Sequence, residues 1–350
     1  MGDVGYNPND HVGKKLHSAQ KLQIADMHCD TILGCCGDGV LLKDWKGHID
    51  PQKLSVGGCL VQCFALFIPT FGPNGPTPDD RKDTPGGTHP PHEAPWPLYQ
   101  KLVDCYNKSL EELQDVIRPA YSASDIRANA AQGLMSSILT VEDCVEIDGQ
   151  LDRFDAVYRD GVRMMALTWN FENCIGFPNS ADPELHKKGL KPFGFDAVEK
   201  MNDLGIVVDV SHLSEGGFWN VAEHSKKPFA ASHSCCRSLC GHQRNLTDDQ
   251  LRCIADHGGV VGVNFCGDFL REGSKISYIS DIVRHLEHMR NVGGTDLLAW
   301  GSDFDGIDST LEYEDYAGFP LLIRALEDIF SPAELDKLNH QNFLRLLSDQ

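Results

Sequence analysis

Ala25-Asp26-Met27-His28-Cys29-Asp30 follows the apolar residues Leu22 and Ile24 and sets a histidine and an aspartate two residues apart at the end of an apolar run. On a β-strand, positions i and i+2 project to one face, so His28 and Asp30 point into a common site while Cys29 points away. A His-x-Asp pair at a strand end suits a divalent cation, and it equally suits a hydrogen-bonded turn. The choice turns on whether other strand ends carry ligands, and so on the fold around this run.

Outward from it, short apolar runs rich in β-branched residues alternate with longer amphipathic stretches. The runs fall at 22–27, 58–67, 135–141, 162–168, 206–211, 229–232, 259–265 and 297–302, and helix-like segments at 97–116, 151–159, 192–204, 247–257 and 276–292. Eight alternating βα units predict a (β/α)8 TIM barrel, read as one domain over residues 1–350. Residues 69–96, dense in Pro, Gly, Asp and His, break the rhythm. Lying after the second strand, they read as a loop insertion at the barrel mouth: a lid, a pocket wall or a subunit contact, with His89 and His92 solvated. The segment 332–346 reads as the closing barrel helix.

Composition narrows the partners. Lys+Arg of 31 against Asp+Glu of 51 leaves a net charge of −20, the wrong sign for a nucleic-acid backbone or an anionic membrane surface. The polar N-terminus lacks a secretory pattern, and no apolar run reaches the roughly 20 residues that span a bilayer, so the chain reads as cytoplasmic. Thirteen cysteines, an odd number with several inside apolar runs, read as buried thiols rather than a disulfide framework. Neither Cys35-Cys36 nor Cys235-Cys236 has metal-knuckle spacing.

In a (β/α)8 barrel, chemistry sits where strands end. The first run ends in His28 and Asp30, the third in Val141-Glu142-Asp143, the fifth in Val210-Ser211-His212, the sixth in Ser232-His233-Ser234, and the eighth in Gly301-Ser302-Asp303-Phe304-Asp305-Gly306. Each is weak evidence singly; five together are not. Three histidines and three carboxylates are too many for one tetrahedral zinc, and two ions sharing a carboxylate account for the count better. Two ions about 3.5–4 Å apart can hold a bridging hydroxide and polarise a carbonyl.

These motifs, in order, with Arg244-Asn245 after Ser234, the segment Gly189 to Gly194, and Val263-Asn264-Phe265, resemble the membrane (renal) dipeptidase family of zinc peptidases, within the amidohydrolase-type barrels, over about residues 22–310. The resemblance implies two Zn2+ per chain: one on His28, Asp30 and Glu142, the other on Glu142, His212 and His233. It casts Asp303 as the aspartate that moves protons or holds the substrate amine, and Arg244 as the group that takes a dipeptide's free carboxylate. It further implies a dipeptide substrate, cleavage by a metal-bridging hydroxide, and a homodimer. The same ligand types also accept other divalent metals.

Two positions depart from the family. Where members carry a histidine after the fourth strand, this chain reads Leu167-Thr168-Trp169-Asn170, leaving the Trp169 indole N–H or the Asn170 amide as the candidate substrate donor. Phe269 falls where some members place a tyrosine. The alternative these raise is an amidohydrolase of the same fold acting on a non-peptide amide, lactam or lactone. A catalytically silent barrel would have lost a ligand, and none is lost. Asp26 reads as buried below the site, Asp143 and Asp305 as loop caps, and His242 as a loop residue.

Overall fold

The computed structural model describes residues 22–69 and 94–350, so most of the 69–96 insertion, with His89 and His92, lies outside the described residues. Eight parallel strands close on themselves. In chain order they are Ile24–Asp26, Cys59–Phe67, Met135–Glu142, Val162–Ala166, Val207–Asp209, Ala230–Ser234, Val260–Val263 and Leu298–Trp300. Each pairs with its neighbour in sequence, and the eighth returns to the first through Asp26 and Trp300. This is the predicted (β/α)8 barrel. Every residue of the second and third strands is buried, as expected where helices cover a parallel sheet and no face is left for polar alternation.

Helices start and stop where the local chemistry dictates. Pro192–Leu204 begins on proline at its first turn and ends at Gly205, whose φ of 74° closes the helix in the left-handed region. Asp248–Asp256 carries a full capping box, Thr247 with Gln250. Phe343, Leu344 and Leu346 of the last helix join Ala25, Val61, Val207, Val260 and Ala299 in one buried cluster, leaving the opposite, carboxyl ends of the strands to carry polar groups.

One element is added and two local readings are corrected. Ile117–Pro119 forms a short extra strand on the third barrel strand, occupying the edge before Val162 begins to pair. The helix expected from 276 starts at Ile279, because Ile276–Ser277 pairs instead with Thr310–Leu311. The closing segment is helical at Pro332–Asp336 and Asn342–Ser348 but passes through a π-turn at Lys337–Gln341. There Asn339 accepts the Trp300 indole N–H at 3.1 Å, and Asn342 donates to the Thr295 and Leu298 carbonyls at 2.8 Å. The cysteines form no disulfide among the described residues.

One buried polar group opposes this packing. Glu146 is fully buried beyond the third strand, and among the described residues its carboxyl oxygens meet no partner outside the residue itself. Burial, with Asp143 adding to it, pushes this carboxyl well above its usual range. Its stabilising contribution is therefore complete below the unfolded-state pKa and is lost as pH rises toward the folded one. Glu146→Gln, which cannot ionise, is expected to raise Tm more at about pH 8 than at about pH 4. Thermal melts at both pH values check this; equal shifts would assign the effect to something other than ionisation.

Candidate metal centre

The first and eighth strands continue past their ladder to build one side of the site. Cys29 bridges Phe304, Asp30 N–H donates to the Phe304 carbonyl at 3.0 Å, and Asp303 N–H donates to the His28 carbonyl at 3.2 Å. This zip sets His28, Asp30 and Asp303 side by side, with His28 Nε2 3.4 Å from Asp30 Oδ2 and 3.8 Å from Asp303 Oδ1. Phe304, between two polar neighbours, is fully buried against Phe265, Tyr316 and Phe319. Burying a ring of this size contributes about 1.5–3 kcal/mol, and it pins the loop so that the flanking aspartates stay where they are.

The loop bends through residues that pay sterically for doing so. Asp303 and Asp305 have φ of 62° and 63°, and His212 has 65°. Non-glycine residues in this region are strained by about 1–3 kcal/mol and need surrounding structure to hold them. For His212, the backbone carbonyl accepts three donors, Asn179 N–H at 2.6 Å, Asn179 Nδ2 at 3.1 Å and Thr168 Oγ1 at 3.3 Å. Asp305 accepts from Thr31 Oγ1 at 2.6 Å, Trp45 Nε1 at 2.9 Å and His48 N–H at 2.5 Å, which ties the eighth-strand loop to the segment after the first strand. Its expected capping role is thus a clamp between distant segments.

Gly306 completes the turn. A Cβ there would overlap the Asp30 and Asp303 carboxylate oxygens. Gly306→Ala is expected to displace both groups and lower kcat about 100-fold, the scale of a misplacement near 1 Å, with little change in Tm. Steady-state kinetics beside a melting curve check this; unaltered kcat would mean that the loop yields instead.

Glu142, the last residue of the third strand, faces all three histidines. Its Oε1 is 2.9 Å from His212 Nε2 and 3.5 Å from His233 Nε2, and its Oε2 is 3.7 Å from His28 Nε2. The His212 and His233 Nε2 atoms are 3.0 Å apart, and the His28 and His233 rings stack at 3.8 Å. Burial alone would raise the Glu142 carboxyl, but His28 and His212 outweigh it and hold it well below the usual range. Burial, reinforced by Arg244, lowers His212 to about 4, and burial with His28 pushes His233 well down. Burial raises Asp303 to about 6.

The donor set fits a cation. His28 Nε2 and Asp30 Oδ1 are buried without a hydrogen bond among the described residues, whereas buried polar atoms are ordinarily paired. Two groups have ligand atoms mutually within 4.8 Å and could hold a metal ion: His28 with Glu142 and His233, and His28 with Asp30 and Asp303. These triads share His28; the partition expected from the sequence shares Glu142, whose two oxygens do face different histidines. All five expected ligands and Asp303 therefore come together at one end of the barrel.

The remaining expected residues lie around the same cavity, which Trp169, Asn170, Arg244, Phe269 and His242 line. Arg244 is buried, donates from Nη2 to the His233 carbonyl at 3.2 Å, and keeps an unpartnered Nε among the described residues. Trp169 packs on Phe67 at 4.8 Å. Asn170 Oδ1 lies 3.2 Å from His212 Nδ1, so this side chain also orients a histidine. His242, read as a loop residue, packs tilted against Phe269 at 4.6 Å on the cavity wall.

Several supporting residues escaped the sequence reading. Asn264 donates to Asp303 Oδ2 at 2.8 Å. Asp26, expected to be buried, accepts the Ser302 N–H at 2.8 Å and hydroxyl at 2.6 Å, directly ahead of Asp303. Asp209 does the same for Ser232, directly ahead of His233. The strand-end motifs contain both the aspartates and the serines, but which Asp faces which Ser is set by the register between neighbouring strands.

A family model for membrane dipeptidases, Peptidase family M19, matches residues 14–350. An uncharacterized protein of Klebsiella pneumoniae is 40% identical over 243 residues, 67% of this chain and 89% of that protein. An uncharacterized dipeptidase of Schizosaccharomyces pombe is 34% identical over 280 residues, 79% of this chain and 65% of that protein. A solved metallopeptidase from Rhodobacter sphaeroides, liganded with a phosphinate mimic of the dipeptide L-Ala-D-Ala, matches with TM-score 0.82 and 28% identity over 94% of this chain and 99% of its own. No helix among the described residues is long and apolar enough to cross a membrane.

Proposed function

The chain belongs to the membrane dipeptidase family, Peptidase family M19, and from that premise we propose that it hydrolyses dipeptides at a centre of two zinc ions held by His28, Asp30, Glu142, His212 and His233. One ion would take His28, Asp30 and Glu142, the other Glu142, His212 and His233. The observation that carries this reading is the convergence of His212 Nε2, His233 Nε2 and Glu142 Oε1 within 3.5 Å of one another, beside the orphaned His28 Nε2 and Asp30 Oδ1. When bound, the metals supply Lewis acidity that polarises the scissile carbonyl and acidifies the attacking water.

The chain's own groups do the rest. Asn264 engages Asp303 Oδ2, leaving Oδ1 on the His28 side to accept a proton from the water and pass it to the leaving amine. Arg244 takes the substrate's free carboxylate, a task suited to a guanidinium with donors to spare. That contact limits substrate length. Trp169 and Phe269 form apolar walls for the side chains, and Asn170 keeps the His212 ring aligned.

Turnover of a panel of L,L and L,D dipeptides, with metal content measured on the same sample, tests this. Cleavage with two zinc equivalents is expected, and a metal-loaded protein that cleaves no dipeptide would overturn it. Trp169 and Phe269, which the resemblance sets where some members carry a histidine and a tyrosine, favour including N-acyl amino acids and lactams. Preference for these would assign the same centre to a non-peptide amide.

A further inference from the structure

Behind His233, on the side of its ring turned away from Glu142, lies a closed chain of hydrogen bonds. Asp209, the buried last residue of the fifth strand, accepts the backbone N–H groups of Ser211 and Ser232 at Oδ1, both at 2.9 Å, and meets the Ser232 hydroxyl at Oδ2 in a short contact. Ser232 Oγ is 2.7 Å from His233 Nδ1 and 3.3 Å from Ser211 Oγ. Ser211 Oγ in turn accepts the His233 backbone N–H at 3.1 Å.

Counting donors fixes the direction of every bond. Three donors converge on Asp209, and a carboxylate only accepts, so the Ser232 proton goes to Asp209. Ser232 Oγ then offers His233 nothing but a lone pair. Nδ1 must carry the ring proton and donate it, and a neutral imidazole protonated there has its lone pair on Nε2. That is the atom facing Glu142 Oε1 and His212 Nε2. In the analogous Asp26–Ser302 pair the hydroxyl likewise donates to Asp26, but its oxygen lies 3.2 Å from the His28 backbone carbonyl rather than beside a ring nitrogen, so this control acts on His233.

We propose that Asp209, acting through Ser232, is a positioning residue that locks His233 in the Nδ1–H tautomer and so keeps Nε2 permanently open to a metal. The metal-binding half rests on His233 being a ligand, as proposed above; the tautomer half does not.

Asp209→Asn is the decisive variant, because it preserves shape and adds a donor. The new amide N–H points at Ser232 Oγ, the hydroxyl turns to donate to His233 Nδ1, and the ring proton moves to Nε2. In metal-free, full-length protein labelled with 15N-histidine, the His233 ring nitrogens, assigned by their loss in His233→Ala, are expected to switch from the Nδ1–H to the Nε2–H pattern. Chelator competition should then find zinc affinity at one site weakened about 10–100-fold, with circular dichroism unchanged. Ser232→Ala, which severs the chain without reversing it, should give mixed tautomers and an intermediate loss, and it carries the test should Asp209→Asn misfold. Retention of the Nδ1–H pattern in both variants, or a switched tautomer with undiminished zinc affinity, overturns the proposal. Zinc titration of His233→Ala decides separately whether His233 is a ligand.

Discussion

Glu142→Ala is expected to remove hydrolysis and to empty both metal positions while leaving the barrel folded. Glu142 is the carboxylate whose separate oxygens face His28 on one side and His212 and His233 on the other. Deleting it leaves three imidazoles in a buried pocket with no anion between them. Removing a ligand costs at least what removing one of its hydrogen-bonded supports does, about 10–100-fold in metal affinity, and on the two-ion arrangement proposed above both positions lose it. Elemental analysis, steady-state kinetics and circular dichroism on one preparation check the result. Two retained metals with undiminished turnover would end the role given to Glu142.

Asp303→Asn should separate chemistry from binding. The amide keeps the shape of the carboxylate and can still meet Asn264, but it cannot take up a proton. A fall in kcat of about 10²–10⁴-fold is expected, the range of general acid–base catalysis, with KM and metal content changed little. Kinetics and metal analysis on the variant check this. A kcat within tenfold of the parent would confine Asp303 to structure, while loss of metal would make it a ligand, as its place beside His28 and Asp30 allows.

The barrel was legible because parallel strands buried on both faces leave unbroken apolar runs, and all eight runs mark real strands. Ile117–Pro119 was not: three residues that include an arginine and a proline carry no period. The residues that converge at the strand ends were legible because imidazoles and carboxylates rarely end apolar runs without cause. Their supports were hidden for the opposite reason. Nothing local marks Ser211, Ser232 and Ser302 within the strand-end motifs, and only the cross-strand register sets Asp209 against one serine and Asp26 against another. The contact of Asn170 with His212 was not legible, since His212 is placed by a left-handed turn that no local pattern announces.

The seam between the first and eighth strands has a consequence for how the chain assembles. His28 and Asp30 follow the first strand, whereas Asp303 and Phe304, which zip against them, follow the eighth. A polypeptide lacking the eighth strand would therefore hold only one side of the site and an open sheet. The two sides meet only when the cylinder shuts, so assembling the pocket and closing the barrel are one event.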